Sequence, residues 1–312
     1  MKINTKEIFY SLSLSTVAVG LFLQNGIVPQ PNPVKPNEYI IPRNSLTIDD
    51  WKSVFRRHDV IFLGFSYAFA TSGATLTLPT DFSTTNNIIY CIGAGGAGST
   101  AQAGDGGTAP CPCSGCPGTL PSAGEGGAGG GGGACAEKNN YNLHAAGQSV
   151  SILVGSGNTW FHSATTVLAR PGSAAIVFGS PGAGGSNSTC IGDVKITGGA
   201  GANGSLPFVC GVGGTGGTGG NAAGPFTLGG HALAGAGGTG GAGSIGPSTP
   251  GATGGVGNQY GGGGAGGGGG GAYTFGDPGQ RAGAGGAGYQ GIIGIQYLST
   301  KLTQYYFFPS AF

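Results

Sequence analysis

The densest set of chemistry-bearing side chains in this chain is Cys111-Pro112-Cys113-Ser114-Gly115-Cys116, with Cys135 downstream. Four thiolates can hold a zinc ion tetrahedrally, so Cys111, Cys113, Cys116 and Cys135 are the candidate metal ligands. Their spacing differs from the paired cysteines of a zinc ribbon, and the nearest histidine downstream is His144. Two other states fit the same residues: a disulfide-stapled loop in an oxidising compartment, or free thiols in a reducing one. The chain has 7 cysteines, an odd number, which leaves at least one unpaired or bonded to another molecule. Cys190 and Cys210 bracket a stretch that a disulfide could close.

Other chemistry is sparse. Gly93-Ala94-Gly95-Gly96-Ala97-Gly98 matches the dinucleotide-binding fingerprint in letters. That motif works only where a helix follows and sets its N-terminus under the pyrophosphate. The sequel, Ser99-Thr100-Ala101-Gln102-Ala103-Gly104-Asp105-Gly106-Gly107, cannot sustain one. His58, His144, His162 and His231 are scattered without an acid or cysteine at a catalytic spacing. The carboxylates beyond residue 60 (Asp81, Asp105, Glu125, Glu137, Asp193 and Asp277) are isolated, whereas glycoside hydrolysis needs two placed together. The expectation is a chain with no catalytic centre and no cofactor, not an enzyme. Trp160-Phe161-His162 and Tyr273-Thr274-Phe275 lie in glycine-flanked segments. Exposed loops of that kind carry contacts, making Trp160, Phe161, His162, Tyr273 and Phe275 candidates for touching a receptor. The competing role is to plug the framework beneath the glycine layers.

What must position these residues is set by an unusual composition. Of 312 residues 73 are glycine, and only 7% are charged. Glycine costs the most backbone entropy to order and brings no side chain to bury, so side-chain packing alone cannot hold such a chain. Disorder goes with high charge and few aromatics, yet 15 Phe, 11 Tyr and 2 Trp are present. Ordered glycine segments, packed backbone against backbone, are therefore expected. A net charge of +1 lacks the basic footprint of a nucleic-acid binder.

Charge also marks a boundary. The first sixty residues hold seven basic and five acidic groups, and the other 252 share only eleven. Residues 1–59 are thus set apart from 60–312. Within them, the apolar run Ile8–Leu23 follows Lys2 and Lys6 and is either a signal peptide or, from its Ser-Leu alternation, a docking strand. A proline-rich connector covers 29–42. A short helix is expected from Thr47, whose capping partner is Asp50, with Trp51, Val54 and Phe55 on one face and Arg56-Arg57-His58 at its end.

From Val60 the pattern becomes β. Strands are expected over 60–70, 74–79, 87–92, 148–154, 166–169, 175–178, 193–196 and 290–298, from period-two alternation or short apolar runs between turn residues. Glycine dominates 93–133 and 198–288. There Gly213-Gly214-Thr215-Gly216-Gly217-Thr218-Gly219-Gly220-Asn221 repeats every three residues, as does Gly237-Gly238-Thr239-Gly240-Gly241-Ala242. Three residues per turn is the period of the polyproline II helix. Glycine on two of its faces lets such helices approach closely, and their outward amides and carbonyls can satisfy one another. Without a long Gly-X-Y register or many prolines, this is not collagen.

The order of these pieces resembles a known family. A strand running into glycine (Ile88-Ile89-Tyr90-Cys91-Ile92-Gly93-Ala94-Gly95-Gly96) is followed by Gly130-Gly131-Gly132-Gly133-Ala134. Then come Ala146-Gly147-Gln148-Ser149-Val150-Ser151-Ile152-Leu153-Val154 and Gly285-Gly286-Ala287-Gly288-Tyr289-Gln290-Gly291-Ile292-Ile293-Gly294-Ile295-Gln296-Tyr297. Together they resemble the glycine-rich domain of phage tail proteins, tail-tip adhesins and related surface proteins, over roughly 65–298. The resemblance implies a β-framework carrying glycine-rich loops, in some members as sandwiched polyglycine II helices at a receptor-binding tip. It also implies a homo-oligomer, trimeric as fibres often are. The cysteine–proline stretch 110–121 and the first sixty residues fall outside the pattern.

The expectation is a mainly β protein, a sandwich- or jelly-roll-like framework with long ordered glycine-rich loops. Its expected role is that of a virion fibre or tail-tip component. Residues 1–59 dock to other virion proteins, and the glycine-rich end meets a host surface receptor. The alternative is a secreted bacterial glycine-rich protein of the cell surface with a cleaved signal peptide.

Overall fold

The computed structural model describes residues 61–62, 65–105, 122–176, 180–207, 212–228, 230–245, 249–271, 280–299 and 303–304. The chain divides into Met1–Val60 and Ile61–Phe312, and every described residue belongs to the second unit. The docking region expected over 1–59, with its connector and helix, lies outside the described residues.

The second unit is built from antiparallel β-strands: β1 (Ile61–Phe62), β2 (Phe65–Ala70), β3 (Thr75–Thr77), β4 (Asn87–Ile92), β5 (Cys135–Asn139), β6 (Ser149–Leu153), β7 (Thr159–Phe161), β8 (Val167–Ala169), β9 (Val194–Ile196), β10 (Thr227–Leu228), β11 (His231–Ala232), β12 (Ile292–Leu298) and β13 (Thr303–Gln304). Among the described residues there is no α-helix, only a 3-10 turn at Asn187–Thr189. One sheet has the order β2-β12-β4-β5-β9 and the other β3-β6-β7-β8, while β1-β13 and β10-β11 form two-stranded ladders.

The two larger sheets make a sandwich because their strands alternate. In β6, Val150 and Ile152 point inward and Ser149, Ser151 and Leu153 outward. Val150, Ile152, Phe161, Val167 and Ala169 of one sheet share a core with Ile89, Cys91, Ala136, Ile293, Ile295 and Tyr297 of the other. The five-stranded sheet buries its opposite face too. There Tyr90, Ile92, Cys135 and Ile292 pack under Ala222, Ala223, Leu228, Leu233 and Ala234. Gly294 in β12 makes room for this cover, since a Cβ on it would fall 2.8 Å from Leu233 Cδ1. Burial on both faces explains why β4 and β12 read as continuous apolar runs rather than alternating ones.

The strands expected at 87–92, 148–154, 166–169, 193–196 and 290–298 are present within a residue or two at each end. The strand expected at 175–178 is not found over the described part of it. Residues 171–176 form no sheet ladder, and Ala175 donates instead to the carbonyl of Ala97 in a glycine segment.

Candidate functional site

Glycine-rich stretches continue directly from the sheet. Residues 93–105 (segment I) leave β4, and 122–134 (II) lead into β5. Residues 171–176 (III) follow β8, 180–185 (IV) come next, and 198–205 (V) follow β9. Then come 212–223 (VI), 234–245 (VII), 249–258 (VIII), 261–271 (IX) and 280–291 (X), the last leading into β12. Their backbones bind one another with a three-residue register. Segment I donates to II at Gly93→Ala134, Gly96→Gly131, Ser99→Ala128, Gln102→Glu125 and Asp105→Ser122, with N···O distances of 2.7–2.9 Å. Its intervening amides go to X, at Gly95→Tyr289, Gly98→Gly286, Ala101→Gly283 and Gly104→Gln280. Such periodicity requires three residues per turn, as in the polyproline II helix. Among the described glycines of these segments only Gly261 has a left-handed φ, +72°. One backbone hand therefore runs through the bundle, and residues with side chains can join it.

Segments II and IX lie at the centre. Segment II donates to or accepts from I, III, IV, V, VI and IX; segment IX does so with I, II, VI, VII, VIII and X. Each is surrounded on all sides, which explains why IX is Gly-Gly-Gly-Gly-Ala-Gly-Gly-Gly-Gly-Gly-Gly and buried throughout. The spacing is that of backbone contact: a Cβ on Gly263 would fall 2.3 Å from the carbonyl oxygen of Gly130, and one on Gly269 would fall 1.9 Å from that of Gly124. Outer segments meet neighbours on fewer faces, so every third residue can carry a side chain outward. Thr215, Thr218 and Asn221 of VI and Ala236, Thr239 and Ala242 of VII are those residues. The buried peptide groups are satisfied across the bundle, avoiding the penalty of an unpaired buried amide.

The antiparallel registers fix two ends. Gly93, Ala134 and Gly261 adjoin the sheet, while Asp105, Ser122, Val212, Ser244 and Gly270 mark the far end. Exposed aliphatic residues lie where segments terminate away from the sheet: Ile245 (87% exposed), Leu206 (71%) and Val212 (37%) toward the far end, and Ile176 (67%) partway along, beside the Ala175–Ala97 bond. Val256, on the flank of VIII, is the exception. Charge in the described bundle is confined to Asp105, Glu125 and Arg281. All three lie in the outer part of the bundle: Asp105 ends segment I, Glu125 pairs with Gln102 and Arg281 follows Gln280, the partner of Gly104.

The structure redistributes the residues singled out from sequence. Phe161 is fully buried in the sandwich core and meets Tyr141 edge-on at 4.9 Å. It plugs the framework and is not a receptor contact, because its alternating neighbours turn it inward from β7. Trp160 and His162 flank it and are half-buried. Tyr273 and Phe275 lie outside the described residues, as do Cys111, Cys113, Cys116 and Cys210. Cys135 is completely buried in β5 beneath Ala222 and Ala223, and burial pushes its thiol well above the ordinary range; no metal-ligating cluster forms around it among the described residues. Cys91 is buried likewise on the other face, and Cys190 donates its thiol proton to the Ser186 carbonyl. All three are free thiols. The fingerprint-like Gly93–Gly98 lies in segment I, where the amides of Gly93, Gly95, Gly96 and Gly98 are committed to carbonyls of II and X. Sequence reasoning missed these aliphatics; for Leu206, Val212 and Ile245 the signal was position, each sitting where a three-residue glycine pattern stops. No protein-family model matches the chain, and no curated protein matches it either.

Proposed function

We propose that this protein is a virion structural component, a fibre or tail-tip adhesin displayed on the particle and attaching it to a host surface. The observation that carries this reading is the bundle itself. Several of its segments lead out of or into sheet strands, all interlock by backbone hydrogen bonds, and some stop at exposed aliphatic residues. An arm held by its own backbone is stiff, and with so little charge it stays inert toward ions and polyelectrolytes until it meets a matching surface. On this reading residues 1–59 join other virion proteins, and the assembled form is a homo-oligomer, a trimer by resemblance to fibres. The apolar run Ile8–Leu23 behind Lys2 and Lys6 supports the second reading, a secreted surface protein with a cleaved leader.

Intact-mass spectrometry separates the two, on protein from purified particles and from washed cell envelopes, with and without reductant. Copurification with particles at full length is the expected result. Recovery only from envelopes, shortened by its first twenty-odd residues, overturns the virion reading in favour of the surface protein.

A further inference from the structure

At the end of the sandwich opposite the glycine bundle, two histidines from different loops come together. His144 lies in the β5–β6 connection and His162 in the β7–β8 turn, with ring centroids 4.9 Å apart and planes inclined at 65°. Both are half-buried. Neither placement is left to chance. Asn87, buried at the start of β4, donates to the Tyr141 carbonyl at 3.0 Å and accepts from the Tyr141 amide at 2.8 Å, clamping the loop that carries His144. His162 has φ +66°, and around it Ser163 N–H donates to the Phe161 carbonyl at 2.8 Å. A three-residue turn with positive φ at its centre is rare and strained, and a non-glycine residue is held there only when its surroundings fix it. Such strain persists where it places something.

The ring nitrogens are differentiated as well. His144 Nδ1 is hydrogen-bonded to the Tyr141 hydroxyl, and His162 Nδ1 to Thr166 Oγ1 at 3.0 Å. Hydroxyls accept as readily as they donate, so each can take an Nδ1–H and leave Nε2 as the ligating nitrogen. A metal-binding histidine usually has its other ring nitrogen held by an outer hydrogen-bond partner, as both are here. Imidazoles that share one tetrahedral ion at about 2.0–2.1 Å per nitrogen have ring centroids roughly 5 Å apart, against 4.9 Å here. We infer that His144 and His162 form a two-histidine binding site for a borderline transition-metal ion such as Zn2+, Ni2+ or Cu2+. Among the described residues no third His, Cys, Asp or Glu completes a cluster, so water or a donor from another molecule fills the remaining positions. Imidazole nitrogen suits these ions rather than Mg2+ or Ca2+.

The test is a Zn2+ titration of the full-length, 15N-labelled protein followed through its imidazole nitrogens, paired with Cu2+ electron paramagnetic resonance. The expected result is simultaneous Zn2+-dependent shifts of the His144 and His162 rings with His231 unmoved, and a Cu2+ spectrum split by two imidazole nitrogens. His144→Gln and His162→Gln, each checked for an unchanged fold by circular dichroism, are expected to lose the two-nitrogen signature and at least tenfold in affinity. Zn2+ that binds elsewhere, or not at all, while the two rings stay unperturbed overturns the inference. That outcome is read on the wild-type protein and does not depend on either variant folding.

Discussion

Gly266 faces Gly127 so closely that a Cβ on it would lie 1.9 Å from the Gly127 carbonyl oxygen, while the Gly127 amide donates to Gly267 at 2.8 Å. The two central segments thus touch through backbone alone. Neither can retreat without breaking bonds to its other neighbours.

Gly266→Ala is therefore expected to destabilise the protein by about 3 kcal/mol or more, at or beyond the upper end for overpacked sites. Gly155 is the matched control, with an ordinary φ and nothing within 4 Å of an added Cβ. Gly155→Ala is expected to be neutral or to stabilise by about 0.4–1 kcal/mol, by restricting the unfolded chain. Thermal and urea unfolding of both variants decide the matter; equal losses would mean that the bundle is not packed backbone to backbone.

A second expectation concerns acid. Lys138 Nζ lies 2.8 Å from Asp193 Oδ1, and the Asn139 amide donates to Asp193 Oδ2 at 2.9 Å. The lysine hydrogen bond and then the amide hold the Asp193 carboxyl below its ordinary range. A depressed folded pKa stabilises the fold above the unfolded value, and that contribution is lost as pH falls through the depressed one. Both side chains are over a third exposed, so Asp193→Asn should cost no more than about 1 kcal/mol at neutral pH. The gap in melting temperature between wild type and variant is expected to close toward the acid limit; a gap constant down to pH ~2 would contradict the assignment.

The buried thiols give a third. Cys91, Cys135 and Cys190 are free and buried, and burial raises all three thiols. Thiolate is the reactive form, so native protein treated with iodoacetamide at pH 8 should leave these cysteines unmodified. Peptide mapping after denaturation should find all three alkylated. Rapid native labelling of Cys135 would mean that the cover formed by Ala222, Ala223 and the β10–β11 ladder opens.

The far end offers a fourth. Leu206→Ser and Ile245→Ser remove exposed aliphatic side chains, and surface changes of this kind ordinarily shift stability by less than about 0.5 kcal/mol. On the adhesin reading they weaken adsorption of particles to host cells while melting temperature and particle assembly stay unchanged. Wild-type adsorption by the double variant would remove these residues from the contact surface.

Much of this organisation is legible in the sequence. Strand patterns located β4, β6 and β12, and the Gly-Gly-Thr repeat of 213–221 announced three residues per turn. Strand β5 was harder to see, because Glu137, Lys138 and Asn139 are a polar run whose pairing is imposed by Tyr90, Ile89 and Ile88 across the ladder. For Phe161 the sequence offered two roles, receptor contact or plug of the framework, and did not decide between them. A three-residue strand carries too little pattern to say which way its side chains turn. Nor could sequence bring His144 to His162, which meet only because the β5–β6 and β7–β8 connections end at the same edge of the sandwich. The far-end residues escaped for a related reason: exposure there depends on where each segment stops relative to its neighbours, a long-range register.

That register also dictates how the arm can change length. Partners in segments I and II always add to the same sum, from Gly93 with Ala134 to Asp105 with Ser122. Adding one residue to a single segment would rotate every following side chain by a third of a turn and drive an outward Thr or Asn into a neighbouring carbonyl. Matched additions of three residues would preserve every contact and lengthen the arm by about 9 Å per step. Insertions and deletions in this architecture are therefore quantised: the arm grows by whole turns in facing segments together, while single-residue length variation is confined to the connections beyond the bundle's end.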